Sequence, residues 1–156
     1  MHNPGFTDLL QRKLSQREQQ MIAWENEEFD SGKDYYPQQL NIKVTDTLYV
    51  RSKSERAIAL ALIESGLHFR YEWRQNFMGE IIPDFTIIHP KTGVLYYWEH
   101  FGLIDSESYR KDFLSKLYKY TSCEIYPDDR LIMTFETKEK PLDIQTIKEK
   151  IQRAFF

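Results

Sequence analysis

A single cysteine, Cys123, stands in the chain, which excludes an internal disulfide or a cysteine-built zinc cluster and fits a reducing, cytoplasmic setting. Its neighbours Ser122 and Glu124 offer no activating base, so it reads as a structural thiol. Long apolar runs are missing too. The longest fall far short of a membrane span, so no membrane partner is expected. The opening Met1-His2-Asn3-Pro4-Gly5 lacks the basic region and apolar core of a secretory signal. Excess positive charge is also absent: a net charge of −3 is unlike a protein that grips nucleic acid with its whole field. Any such contact has to come from local basic clusters. No internal repeat or low-complexity tract occurs.

What the chain does have is apolar material for one real core, with 41% apolar and 15% aromatic residues in a length of 156. It divides into an N-terminal part, residues 1–50, and a compact part, residues 51–156. In the first, residues 7–29 read as one polar helix with Leu9, Leu10, Leu14, Met21, Ile22 and Trp24 thinly spread. That stripe is too sparse for a core helix and suits a packing arm. An extended connector follows to Val50.

In the compact part, Ser52 or Ser54 can cap a helix that ends at Gly66. Residues 67–73 alternate as a strand, and residues 81–88 are strongly β-prone. The run His89-Pro90-Lys91-Thr92-Gly93 is a hairpin connection into a third strand, residues 94–101. A helix over 107–121, a strand over 130–136 and a closing helix over 141–154 complete the order αβββαβα. The strand, helix, strand sequence near the end predicts a right-handed crossover, with the third and fourth strands parallel in a mixed sheet.

Two of these strands carry carboxylates in apolar surroundings: Asp84 in Ile81-Ile82-Pro83-Asp84-Phe85, and Glu99 in Tyr97-Trp98-Glu99-His100-Phe101-Gly102. Desolvating a carboxylate costs several kcal/mol unless a partner compensates. A divalent cation between the two would do so, which points to metal-dependent phosphodiester chemistry.

The αβββαβ order, Glu55 in the first helix, Pro83-Asp84 at the second strand and Glu99 on the third together resemble the PD-(D/E)XK (restriction-endonuclease-like) nuclease superfamily. Arg51-Ser52-Lys53-Ser54-Glu55, Tyr71-Glu72, Pro83-Asp84-Phe85 and Trp98-Glu99-His100-Phe101-Gly102 are similar to a branch found in phages, mobile elements and some helicases. The resemblance spans residues 51–136. It implies a mixed four-stranded sheet flanked by helices, with the N-terminal arm outside it. It further implies that Asp84, Glu99, Glu55 and the backbone carbonyl of His100 hold Mg²⁺ or Mn²⁺, hard cations that prefer oxygen ligands.

One position departs from the family pattern. Where a lysine normally follows the strand glutamate by two residues, this chain has Phe101. His100 is one substitute, although strand alternation turns it to the opposite face. Lys116 is the other, at helical spacing with Phe113, Leu117 and Tyr120 on an inward-facing side, able to reach a site edge with its ammonium. Arg51, Lys53, Arg56, Arg110, Lys111 and Lys119 are the candidate phosphate contacts, which would position DNA without reading its sequence. Tyr109, Tyr118 and Tyr120 are candidates for stacking or for packing. Glu72 reads as surface electrostatics with Arg70 or Arg74, and His68 and His89 take no role. The expected activity is metal-dependent hydrolysis of DNA, in a homodimer or beside a helicase or mobile-element partner. The alternative is a catalytically inactive module of the same fold that binds nucleic acid or protein.

Overall fold

The computed structural model describes residues 14–156; the expected helical residues 7–13 lie outside these. The described residues form an α/β structure with four helices and a mixed four-stranded sheet. The first helix, α1 (Gln16–Asn26), opens on a capping box between Ser15 and Glu18. It ends three residues before the expected limit, because Phe29 turns back to pack edge-on against Trp73. A connector with two short 3₁₀ turns leads to the paired strands β1 (Ile42–Lys43) and β2 (Tyr49–Val50). This connector is no detached arm: Val50 is fully buried in the main core, and Leu40, Ile42, Val44 and Leu48 pack against it.

Helix α2 (Lys53–Glu64) starts where the Ser52 side chain accepts the Glu55 N–H. It stops at Gly66, whose φ of 71° allows the Leu67 N–H to reach the Leu62 carbonyl and the Gly66 N–H to reach that of Ile63. Strand β3 (His68–Tyr71) is shorter than expected because Glu72 adopts a left-handed φ of 53° and turns the chain. A small hairpin follows, β4 (Gln75–Asn76) with β5 (Glu80–Ile81), turning through Met78 and Gly79. The sheet resumes with β6 (Phe85–Ile88) and β7 (Leu95–Phe101). Helix α3 (Glu107–Ser122), strand β8 (Leu131–Phe135) and helix α4 (Ile144–Phe155) close the chain. Helix α4 begins after the expected Pro141 because the Asp143 side chain accepts the Thr146 N–H and acts as its cap.

Strand order is β3-β6-β7-β8, antiparallel except for the parallel β7–β8 pair. One face carries the main core, where Phe69, Phe85, Ile87 and Trp98 meet Ile58 and Leu62 of α2 and Ile147, Ile151 and Phe155 of α4. Full burial of each such side chain contributes about 1.5–3 kcal/mol. The other face packs a smaller cluster, Ile81, Tyr97, Ile125 and Leu131, around Tyr120 of α3. Among the described residues, no helix is long and apolar enough to cross a membrane.

Candidate active site

The sheet places two carboxylates side by side. Strands β6 and β7 pair with Phe85 opposite Trp98, and one further step of that register sets Asp84 beside Glu99. Asp84 Oδ2 accepts the backbone N–H of His100 at 2.7 Å. Its other oxygen has no hydrogen-bond partner among the described residues, and the side chain lines an open cleft. Glu99 is almost wholly buried and accepts from Lys116 Nζ at 2.7 Å and from the Tyr120 hydroxyl at 2.8 Å. Both donors come from α3, four residues apart on its inward face. Helix α3 thus places a lysine directly on Glu99.

Phe101 cannot serve. It packs among aromatic rings, 4.9 Å from Phe113 and 5.4 Å from Phe135 between centroids. The His100 ring is also corrected as a catalytic candidate, because alternation turns it to the opposite face. There Nδ1 lies 2.8 Å from Thr134 Oγ1 and Nε2 lies 2.7 Å from Glu136 Oε1. Its backbone N–H, in contrast, reaches Asp84.

Glu55 enters from the first turn of α2. It accepts from the Tyr71 hydroxyl at 2.9 Å and from the Ser52 hydroxyl at 3.0 Å. Burial, reinforced by the Asp84 charge, pushes its pKa up to about 8 against these two donors. Burial likewise raises Glu99 to about 7, with Lys116 opposing the rise and Asp84 adding to it. Asp84 is raised by burial too, with Lys116 and the His100 amide pulling it back. Burial pulls the Lys116 ammonium down, but the Glu99 and Asp84 charges outweigh that and hold it above the ordinary lysine value. Burial thus raises all three carboxylates, and the Lys116 ammonium donates to one of them.

A fourth acid, Glu72, differs from the sequence expectation. Glu72 is buried, not a surface residue, and its partner is neither Arg70 nor Arg74. Arg51 Nε meets Glu72 Oε1 at 2.5 Å, and the same guanidinium donates to the carbonyls of Gly32, Tyr35 and Tyr36. Arg51 is thus a tie between β2, β3 and the connector, not a free phosphate contact. The Arg70 guanidinium is instead enclosed by Trp24, Trp73 and Phe29, with ring centroids 4.4, 4.5 and 5.0 Å away. Arg74 pairs with Asp30, Asp34 and Glu80.

The remaining basic candidates separate. Lys119 lines the cleft beside Lys116, with Nζ 2.8 Å from the Glu80 carbonyl. Lys53 and Lys111 are exposed, while Arg56 donates to the Lys43 carbonyl and Arg110 to that of Ile104. Tyr120 is buried on Glu99, whereas Tyr109 and Tyr118 are exposed. Neither the stacking nor the packing reading of Tyr120 includes its hydrogen bond to Glu99; its spacing of four from Lys116 was the available signal. His68 pairs with Glu25 of α1.

Among the described residues, no group of three or more His, Cys, Asp or Glu side chains is set to hold a metal ion. Glu55 therefore does not join Asp84 and Glu99 in a ready three-acid cage. The donor set still suits a hard cation in type: Asp84 has an oxygen without a protein partner facing the cleft, and its neighbours are carboxylates raised by burial and mutual repulsion. Comparison with family models, with curated proteins and with solved structures found no match to this chain.

Proposed function

We propose that the chain is a nuclease of restriction-endonuclease-like arrangement, hydrolysing phosphodiester bonds in DNA with Mg²⁺ or Mn²⁺. The observation that carries this reading is the Lys116 ammonium, 2.7 Å from Glu99 on the strand beside Asp84. An acid pair with a lysine beside an open cleft offers oxygen donors for a cation and a charge that can orient water or phosphate. Asp84, Glu99 and the His100 carbonyl are the proposed oxygen donors, with Glu55 contributing charge from behind. When bound, the cation supplies a water of lowered pKa and neutralises phosphate charge.

The chain's own groups do the rest. Tyr120 and Lys116 fix both oxygens of Glu99, so that carboxylate is held without rotation. The Lys116 ammonium remains protonated and can orient a water or a phosphate oxygen at the cleft. Lys119 adds a second cation on the same wall. A second reading, an inactive module that binds nucleic acid or protein, draws on the lack of a ready three-ligand group.

Linear, circular and single-stranded DNA incubated with Mg²⁺ or Mn²⁺ distinguishes the two. The nuclease reading expects cleavage that falls by about 10²–10⁴-fold in Asp84→Asn and in Glu99→Gln. Cleavage unchanged in both variants overturns the assigned residues. No cleavage and no metal binding favours the inactive module.

A further inference from the structure

The cleft beside the acids has a wall whose chemistry the hydrolytic groups do not use. It encloses about 360 Å³, enough for a small planar ligand. Ile81 and Ile82 give an aliphatic surface, Tyr35 stands at the rim and Gln39 adds an amide. Lys116 and Lys119 line the same cleft, together with Arg51 and the carboxylates Asp84, Glu72 and Glu80. An aromatic ring, aliphatic groups and two ammonium groups in one cleft match a nucleobase joined to a phosphate.

Tyr35 is held there by its backbone. Arg51 takes the carbonyls of Tyr35 and Tyr36, and the Tyr35 N–H donates to the Gly32 carbonyl at 2.9 Å. Tyr36 adopts a left-handed φ of 47°, a conformation that L residues other than glycine seldom keep without reason. The Tyr35 ring is nevertheless 60% exposed, touching Tyr36 edge-on at 4.6 Å. A fixed main chain carrying a solvent-exposed aromatic ring at a cleft is the form of a stacking platform. In the same cleft, the Lys119 ammonium rests on a neutral carbonyl, and no carboxylate lies within ion-pair distance of it among the described residues.

We infer that Tyr35, with Ile82 and Gln39, forms a subsite for the base of one unpaired nucleotide, whose phosphate lies toward Lys119 and Lys116. This rests on the nuclease reading for the identity of the ligand as a polynucleotide, and it sharpens the substrate to a single strand or a frayed end. A base inside a duplex is stacked on both faces and cannot also lie on Tyr35.

Fluorescence anisotropy with labelled oligothymidylate, in EDTA and in Ca²⁺, tests the subsite without turnover. Tyr35→Ala is expected to weaken binding about 5- to 100-fold, the effect of losing one stacked base. Tyr35→Phe keeps the ring and is expected to stay within about twofold. Covalently closed duplex DNA, with no unpaired end, is expected to bind equally to all three proteins. Gln39→Ala, which alters a second residue of the cleft and leaves the Arg51 side chain in place, provides a second reading and is expected to weaken the single strand alone. The subsite is overturned if Tyr35→Ala binds oligothymidylate like the unaltered chain, if Tyr35→Phe fails as badly as Tyr35→Ala, if duplex binding falls in parallel, or if the unaltered chain binds no oligothymidylate. Ring-dependent binding without any cleavage removes the nuclease reading and leaves the subsite standing. Cleavage indifferent to Tyr35 does the reverse.

Discussion

The two faces of the sheet treat buried polar groups in opposite ways. Toward α2 and α4, the Trp98 indole N–H donates to Thr134 Oγ1 at 3.0 Å, which in turn meets His100 Nδ1. His100 Nε2 meets Glu136, which also accepts from the Ser54 hydroxyl and the Leu142 N–H. Each group has a partner, and those bonds hold the Glu136 pKa below its ordinary value despite burial. Toward α3 and the cleft, Asp84 and Glu99 are both raised by burial, and the Lys116 ammonium donates to Glu99. Carboxylates raised by burial beside an open cleft are the groups that the proposed cation site would use.

The contrast breaks most visibly at Lys116. Lys116→Met keeps the stem and removes the ammonium, and DNA cleavage is expected to fall by about 10²–10⁴-fold. Cleavage at the unaltered rate would move the chemistry elsewhere. Arg51→Met is next: it strands the buried Glu72 carboxylate, with an expected loss of about 3–5 kcal/mol in urea unfolding. A loss under about 1 kcal/mol would mean that the pair acts like a surface bridge. On the satisfied face, Thr134→Val removes a partner from both Trp98 and His100, and about 1–3 kcal/mol of stability is expected to go with it.

The pH dependence separates the faces more gently. The ordinary glutamate value is 4.5, whereas folded Glu99 lies at about 7 and folded Glu55 at about 8. Above the lower value the folded chain keeps protons that the unfolded chain has released, so stability falls as pH rises. The contribution of these groups is complete below about pH 4.5 and is lost by about pH 8, at no more than about 1.4 kcal/mol per pH unit for each. Thermal midpoints should decline across this window, and Glu55→Gln and Glu99→Gln should each flatten the decline. An unchanged slope in both variants would show that their burial does not bias protonation.

Much of this was legible in the chain because it depends on local rules. Ser52, Gly66 and the alternation through Trp98, Glu99 and His100 announced a capped helix and a strand with the acid and the imidazole on opposite sides. The inward spacing of Lys116 with Tyr120 followed from helical geometry alone. What stayed hidden depends on distant pairing. Arg51 and Glu72 are 21 positions apart, and nothing in either neighbourhood signals the other. Helix α1 read as a packing arm, but what it packs on stayed hidden, because counting apolar residues overlooks the Arg70 guanidinium held between Trp24 and Trp73. The left-handed turn at Glu72, which shortens β3 and aims that residue inward, carries no glycine to betray it.

Calorimetric titration of Mn²⁺ into the unaltered chain, Asp84→Asn and Glu99→Gln tests the central claim most directly, because it asks whether these carboxylates hold a cation. The account predicts saturable binding to the unaltered chain that is lost in Asp84→Asn and weakened at least about tenfold in Glu99→Gln. Binding of equal strength in all three proteins, or none in the unaltered chain, would contradict it.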